Sequence, residues 1–154
     1  AENFAVDYYE GGYKLLTTRL NGDRILIVPK HQQAPEDAEA LVSPSAEGEP
    51  GKLIVLQEPV KNLYLVASSV MDMFAQLDSM DAISMCGLKE EDWYIPAAKQ
   101  AMKDGTLLYA GKYSQPDYEL LLSQNCSMAI ENSMIYHTPE VKEQHPNAGG
   151  VFQL

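Results

Sequence analysis

The first apolar and polar pattern along the chain is typical of paired β-strands. Residues 4–9 form a short aromatic run, and residues 13–20 carry adjacent leucines among threonines. Asn21-Gly22-Asp23 then forms a strong turn signal, because Asn and Gly tolerate the positive φ angles of tight hairpin turns. An apolar run follows at residues 24–28 and ends at Pro29. The pattern predicts a β-hairpin over residues 13–28.

This pattern disappears over residues 30–52. The stretch contains prolines, glycines and acids without apolar periodicity, which predicts an exposed loop or linker. A loop of this length is uncommon inside a compact domain. We therefore expect residues 1–52 to form a β-rich extension with its loop, followed by a domain boundary.

From residue 53 onward, short runs that are apolar throughout are interspersed with helical segments. Helix starts follow Ser69 and Ser114, a helix at residues 94–103 ends at Asp104-Gly105, and a further start lies at Thr138-Pro139. The apolar runs are residues 53–56, 63–67, 82–86, 107–110 and 128–130. Strands of this kind between helices predict a parallel sheet with both faces covered. The predicted fold is α/β: a Rossmann-like parallel sheet flanked by helices, with an N-terminal β-hairpin extension.

Four loops of this predicted fold are candidates for a binding site. Ligands of parallel α/β sheets bind beyond the carboxyl ends of the strands, which selects residues 68–71, 87–94, 111–114 and 132–137. These loops are rich in Ser, Tyr, Trp and Met, a mixture that offers hydroxyls to polar groups and rings or thioethers to apolar ones. Glu131 ends a strand beside them, but a lone carboxylate does not indicate acid–base catalysis.

The charge balance narrows the range of partners. Among 154 residues there are 22 acids and 11 bases, which gives a formal net charge of -11. This charge repels phosphate backbones, and no stretch is basic enough for an anionic membrane, so we expect neither nucleic acid nor membrane-surface binding. No membrane span and no signal peptide is apparent. The acidity favours solubility, and attraction of a cationic ligand is the alternative interpretation.

Motifs for catalysis and metal binding are missing from the sequence. There is no Gly-rich phosphate loop, Rossmann glycine fingerprint, nucleophile elbow or His-Glu-x-x-His motif, so we expect neither enzymatic activity nor a cofactor. Cys86 and Cys126 lack the spacing of a zinc site. Cys86 ends one predicted strand and Cys126 precedes another. A parallel sheet places them at opposite edges, so we predict two free thiols.

The second half of the chain resembles a known family in the order of its segments. The segments are residues 62–73 (NLYLVASSVMDM), 111–119 (GKYSQPDYE), 128–131 (MAIE) and 137–141 (HTPEV). They resemble the N-terminal lobe of class III (cluster A) substrate-binding proteins, the receptors of ABC importers for iron–siderophores, haem and cobalamin. The resemblance covers roughly residues 53–144 and is nearest to a lipoprotein branch of Gram-positive bacteria.

The resemblance implies an extracytoplasmic, cell-surface lipoprotein whose lipid anchor lies outside this chain. It would bind a metal chelate (a ferric siderophore, haem or cobalamin) and deliver it to an ABC permease. Glu90 and Glu91 would contact arginines of that permease. The family's second lobe is expected to be absent, with residues 145–154 forming a tail that does not continue into a further strand. From their loop positions and the resemblance, the candidate ligand-binding residues are Ser69, Trp93, Tyr94, Tyr113, Ser133, Met134 and Tyr136.

Some of these residues also fit ordinary structural roles, and other functions fit the same fold class. Trp93 and Tyr94 are equally suited to covering a helix end, and His137 to capping or packing. A flavodoxin-like enzyme or signalling receiver is an alternative that requires Asp72 or Asp81 at the carboxyl end of a strand. A third alternative is a β-rich adhesion module formed by residues 1–50.

Overall fold

The computed structural model describes residues 3–19, 22–38, 51–131, 137 and 151–153, the last of these ranges by its backbone alone. The chain forms two compact units, Ala1–Val60 and Lys61–Leu154, which we name the N-terminal unit and the C-terminal unit. The division therefore lies after residue 60, whereas the sequence pattern placed it after residue 52. Within the described residues, no helix is long and apolar enough to cross a membrane.

One four-stranded sheet forms the framework of the N-terminal unit. Its strands are β1 (Phe4–Tyr8), β2 (Lys14–Thr18), β3 (Arg24–Val28) and β4 (Leu53–Gln57), in the spatial order β1-β2-β3-β4. β2 runs antiparallel to both β1 and β3, with Leu15 opposite Leu26, which confirms the predicted hairpin. Both leucines are buried in a small core together with Val28 and Ala38.

β4 is the strand that the sequence pattern assigned to the other unit. It pairs in parallel with β3. The N–H of Lys52 donates to the Asp23 carboxylate at 2.8 Å, and the Lys52 carbonyl accepts from the N–H of Arg24 at 2.8 Å. Ile54 and Leu56 of this strand are buried. The long segment between β3 and β4 is thus a crossover, which parallel pairing requires.

The C-terminal unit contains strands and helices in the predicted alternation. Its strands are β5 (Leu63–Leu65), β6 (Ile83–Cys86), β7 (Leu108–Tyr109), β8 (Gly111–Lys112), β9 (Gln115–Pro116), β10 (Met128–Glu131) and β11 (Val151–Gln153). Its helices are α1 (Ser68–Gln76), α2 (Pro96–Lys103) and α3 (Tyr118–Ser123). The main sheet has the order β11-β10-β5-β6-β7, and all neighbouring strands in it are parallel. The predicted α/β fold with a parallel sheet is confirmed.

The tail of the chain departs from the expectation. Residues 145–154 were expected to stay outside the strand pattern, but residues 151–153 form β11 and pair in parallel with β10. Three backbone positions pair in register, including Ala129 with Val151. The polar, glycine-containing residues before β11 concealed this strand, because its three residues are too few to give a periodic signal.

A buried layer between the main sheet and α3 explains why the strands are apolar throughout. Tyr64, Met85 and Ala129 lie on three neighbouring strands, and each is fully buried. They form one cluster with Leu121 of α3 and with Cys126. Strands that are covered on both faces have no solvent side, and the alternation of apolar and polar residues disappears.

Two helix starts differ from their predicted caps. The pattern placed a start after Ser69, but α1 begins at Ser68 with Ala67 at the N-cap position and without a side-chain cap. The pattern also placed a start after Ser114, whereas Asp117 caps α3 and its carboxylate accepts from the N–H of Leu120 at 3.0 Å. The aspartate competes better for this position because its carboxylate is a strong acceptor at a helix N-terminus.

The two thiols are free and buried, as predicted. Burial raises the pKa of Cys86, and it raises the pKa of Cys126 to about 11. Because only the thiolate reacts, we expect a thiol reagent at neutral pH to modify neither residue in the folded chain and both after unfolding. Above pH 9 the unfolded thiols ionise while the folded ones stay protonated, so stability falls as pH rises. Rapid modification of the folded chain, or a count of zero in the unfolded chain, would contradict this prediction.

Candidate functional site

The strand order of the main sheet reverses beside β5, and this reversal locates the candidate site. The chain passes from β5 to β6 and β7 on one side, then returns to place β10 and β11 on the other side. Right-handed crossovers therefore put α1 and α2 on one face of the sheet and α3 on the opposite face. At such a switch point the loops after the two central strands separate and leave a crevice for a ligand. This rule puts the candidate site at the carboxyl ends of β5 and β10.

Two buried polar residues lie on the two central strands, Tyr64 within β5 and Glu131 at the carboxyl end of β10. Tyr64 and Glu131 have no exposed surface. Burial raises the pKa of Tyr64, and the charge of Glu131 raises it further. The Tyr64 hydroxyl donates to the carbonyl of Gly111 at 2.9 Å. A central strand is thus tied through its side chain to the loop after β7.

The loop after β5 brings two hydroxyls to the carboxyl edge of the sheet. Ser68 and the candidate residue Ser69 are exposed in the first turn of α1. The backbone below them is fixed, because the N–H groups of Val66 and Ala67 donate to the Ile130 carbonyl at 2.9 and 3.4 Å. No side chain caps this helix at its N-cap position, and its first turn follows the carboxyl end of β5.

The loop after β6 separates its two aromatic candidates. Trp93 is 2% exposed and Tyr94 is 97% exposed. Trp93, which was expected on the ligand wall, lies instead in the core beside Cys86. Its indole nitrogen is buried and has no hydrogen-bond partner among the described residues. The Lys89 ammonium lies over the ring of Tyr109, 6.0 Å from its centroid. Tyr94 is therefore the aromatic side chain that this loop offers to solvent.

The loop after β7 is a short hairpin with a defined tip. β8 and β9 pair antiparallel, so Tyr113 and Ser114 lie at the tip between them. Gly111 has a φ of 82°, and a Cβ at this position would overlap the Gln115 carbonyl and lie 2.9 Å from the Asp117 nitrogen. Only glycine fits this place. Tyr113 is half-buried against the core cluster, so it has both a packing role and a surface at the edge.

The remaining candidates fall on other parts of the chain. His137 is exposed. Met71 and Met85 are core residues without exposed surface, whereas Met73 of α1 is 62% exposed. The candidate residues of the loop after β10 lie outside the described residues; they are Ser133, Met134 and Tyr136.

The acids required by the alternative enzyme or receiver function do not lie at the carboxyl edge. Asp72 lies within α1 and accepts from the Gln76 amide at 2.6 Å. Asp81 precedes β6, at the amino end of the strands, and lies 3.3 Å from the Lys61 ammonium. Among the described residues, no group of three or more His, Cys, Asp or Glu side chains could hold a metal ion.

Sequence patterns did not reveal the switch point or the Tyr64–Gly111 hydrogen bond. The only signal for the latter was a glycine directly after an apolar run. Function is therefore inferred from the carboxyl edge of the sheet and from the resemblance of residues 53–144. No protein-family model matches the chain, and no curated protein matches it.

Proposed function

We propose that the C-terminal unit is one lobe of the substrate-binding component of an ABC importer and captures a metal chelate outside the cytoplasm. The observation that carries the proposal is the switch point between β5 and β10 of a parallel sheet, with exposed hydroxyls in the loop after β5 and an exposed aromatic ring in the loop after β6. The proposal also rests on the resemblance of residues 53–144 to class III substrate-binding proteins. The protein would be a surface lipoprotein with its anchor outside this chain.

The edge suits a ligand with an oxygen-rich periphery and flat apolar parts. The hydroxyls of Ser68 and Ser69 and the N–H groups of the first turn of α1 are donors for carboxylate, hydroxamate or catecholate oxygens. Tyr94 offers an exposed ring for stacking. The backbone that carries these groups follows buried strands of the sheet. It is therefore ordered before the ligand arrives, which reduces the entropy cost of binding.

Binding is favoured over catalysis by the chemistry of the described edge. The thiol nearest to it, Cys86, is buried and has a raised pKa, so it is not an activated nucleophile. Asp117 is engaged in capping α3. The groups that remain accessible are hydroxyls, rings and exposed charges, which recognise a ligand without transforming it.

The permease contact is proposed for the acidic turn before α2. Glu91 is exposed, and Glu90 lies 3.9 Å from the Lys103 ammonium, a separation too long for a strong ion pair. Glu91 is therefore accessible to an arginine on a partner surface, and Glu90 would exchange its long contact with Lys103 for such an arginine. Such exposed charges act mainly by steering the association, so we expect this contact to weaken as the salt concentration rises.

A fluorescence titration of the full chain tests the proposal. Trp93 is the one tryptophan, and coloured chelates that bind nearby should quench it. The probes are a ferric tris-catecholate, a ferric trihydroxamate, haemin and cyanocobalamin. We expect at least one to bind, and Tyr94→Ala or Ser69→Ala to weaken that binding by about tenfold, or about 1.4 kcal/mol. Ser123→Ala, another exposed helical serine, is the matched control and should change nothing.

Two outcomes would overturn the proposal. The first is the absence of saturable quenching by any of the four chelates. The second is an equal loss of affinity in Ser123→Ala and in the edge variants, because Ser123 lies at the carboxyl end of α3, away from the edge. Because Ser69, Ser123 and Tyr94 are exposed, their substitution should leave the melting temperature nearly unchanged. A loss of affinity at an unchanged melting temperature is then not due to unfolding.

A further inference from the structure

The N-terminal unit contains a cavity that the proposed import function does not use. Its volume is about 160 Å³, and it is lined by Tyr9, Tyr13, Leu26, Pro35 and Asp37. This is close to the volume of about 150 Å³ at which an apolar cavity in another protein binds benzene. The space is therefore large enough for one compact organic group.

The walls are held in place by hydrogen bonds outside the cavity. The Tyr13 hydroxyl donates to the Gln33 carbonyl at 2.8 Å. The Gln32 side-chain amide donates to the Gly11 carbonyl at 2.8 Å, which ties the segment after β3 to the turn beside Tyr9. The Tyr9 N–H donates to the Tyr13 carbonyl at 2.9 Å. These bonds fix the Tyr13 side chain and the backbone that carries Tyr9.

The lining determines what kind of surface the ligand presents. It consists almost entirely of apolar atoms, with Leu26 of the buried core among them. A primary ammonium or a guanidinium would lose its water here without gaining hydrogen-bond acceptors, which is costly. A group that presents only methyl carbons loses no hydrogen bond.

The charges around the cavity favour a cation. Asp37 is among the lining residues, but almost no polar surface faces the cavity, so its carboxylate acts as a nearby negative charge and not as an acceptor inside it. The chain neighbours of the lining residues include the exposed acids Glu10 and Glu36. The basic residue next to Tyr13 is Lys14, whose ammonium is paired with the Glu58 carboxylate at 2.8 Å. The chain as a whole carries a net charge of -11. A cation is thus attracted by the field and by the aromatic rings.

We propose that this cavity binds a quaternary ammonium group, the one common group that combines a positive charge with a surface of methyl carbons. The two sources of such a group are a free choline-like solute and the headgroup of a phosphatidylcholine membrane. The site is independent of the carboxyl edge of the C-terminal unit and of the metal chelate proposed there.

A titration series with the full chain tests the charge and the methyl surface separately. The probes are choline, its neutral carbon isostere 3,3-dimethylbutan-1-ol, and ethanolamine, which has the charge without the methyl groups. By calorimetry or NMR we expect choline to bind about tenfold more tightly than either. Equal affinities for choline and the neutral isostere would show that the cavity binds only apolar groups and does not recognise the charge. If neither free choline nor phosphatidylcholine vesicles bind, the proposal is wrong. Sedimentation with phosphatidylcholine vesicles in the presence and absence of free choline distinguishes the two sources.

Two adjacent tyrosines provide a matched pair of variants. Tyr9→Ala removes a wall and should weaken choline binding by about tenfold or more, whereas Tyr8→Ala removes the same atoms from a residue that is 76% exposed and does not line the cavity. Asp37→Asn should weaken choline binding by a few-fold and leave the neutral isostere unaffected, without disturbing a buried residue. Equal effects of Tyr8→Ala and Tyr9→Ala, with melting unchanged, would overturn the proposal.

Discussion

Replacing Gly111 with alanine is expected to destabilise the C-terminal unit by roughly 3 kcal/mol or more. The backbone φ of 82° costs any residue with a Cβ about 1–2 kcal/mol. In addition, the new methyl group would overlap the Gln115 carbonyl and crowd the Asp117 nitrogen at 2.9 Å, so the β8–β9 hairpin would have to move. Backbone atoms cannot rotate away as a flexible side chain can, and the two costs add.

Gly105→Ala is the matched control for this substitution. Gly105 has a φ of 74°, but a Cβ placed there meets nothing within 4 Å. It should therefore cost only the conformational penalty of about 1–2 kcal/mol. Urea unfolding followed by Trp93 fluorescence reports the C-terminal unit, which holds the one tryptophan. Equal midpoints for the two variants would show that the close approach at Gly111 is not a constraint.

The Gly111 variant also has a functional consequence, because the same residue accepts the hydrogen bond from Tyr64. Moving the hairpin would break that bond, and the loss of a hydrogen bond by a buried hydroxyl is costly. It would also shift the tip that carries Tyr113. Under the proposed function, chelate binding should therefore weaken in Gly111→Ala even where the unit remains folded.

The parallel sheet was predictable because burial on both faces leaves a mark in the sequence. Runs such as residues 63–67 and 128–130 are apolar at every position, and the helices between them begin or end at recognisable residues. Asp104-Gly105 ends α2 as predicted, with Gly105 in a left-handed conformation. These features depend only on local composition, so they can be predicted without knowing which strands pair.

Which strands pair with each other could not be predicted from the sequence in the same way. The run at residues 53–56 is as apolar as the strands of the C-terminal unit, but β4 pairs with β3 of the N-terminal unit. Its five-residue ladder with β3, and the hydrogen bonds of Lys52 with Asp23 and Arg24, join residues that are far apart in the sequence. β11 was missed because three residues carry no periodicity.

The candidate site was predictable as a set of loops but not as a geometry. Any parallel sheet gathers its strand-end loops at one edge, so Ser69 and Tyr94 could be selected from their positions alone. The position of the switch point depends on the order of strands in space, which the one-dimensional pattern does not contain. The distinction between Trp93 and Tyr94 depends on which of two adjacent rings turns inward, and that is decided by the space beside Cys86.

The substitution Trp93→Ala is expected to lower the free energy of unfolding by roughly 3–5 kcal/mol, the usual range for truncating a buried aromatic side chain. Trp93 is 2% exposed, so its removal leaves a cavity that the surrounding core can only partly fill. Tyr94→Ala is the matched control, since this neighbouring ring is 97% exposed and its loss should change stability by less than about 0.5 kcal/mol. Far-UV circular dichroism follows the unfolding of both, because Trp93→Ala has no tryptophan.

The thiols provide a second measurement that is specific to the position of the ring. Trp93 lies beside Cys86 at the carboxyl edge, whereas Cys126 precedes β10 at the opposite end of the strands. In the folded Trp93→Ala variant, Cys86 should therefore react faster with a thiol reagent while Cys126 stays protected. Equal acceleration at both cysteines would indicate general loosening of the unit. A stable variant with both thiols still protected would contradict the core position of Trp93. It would favour the sequence-based prediction that Trp93 contacts the ligand.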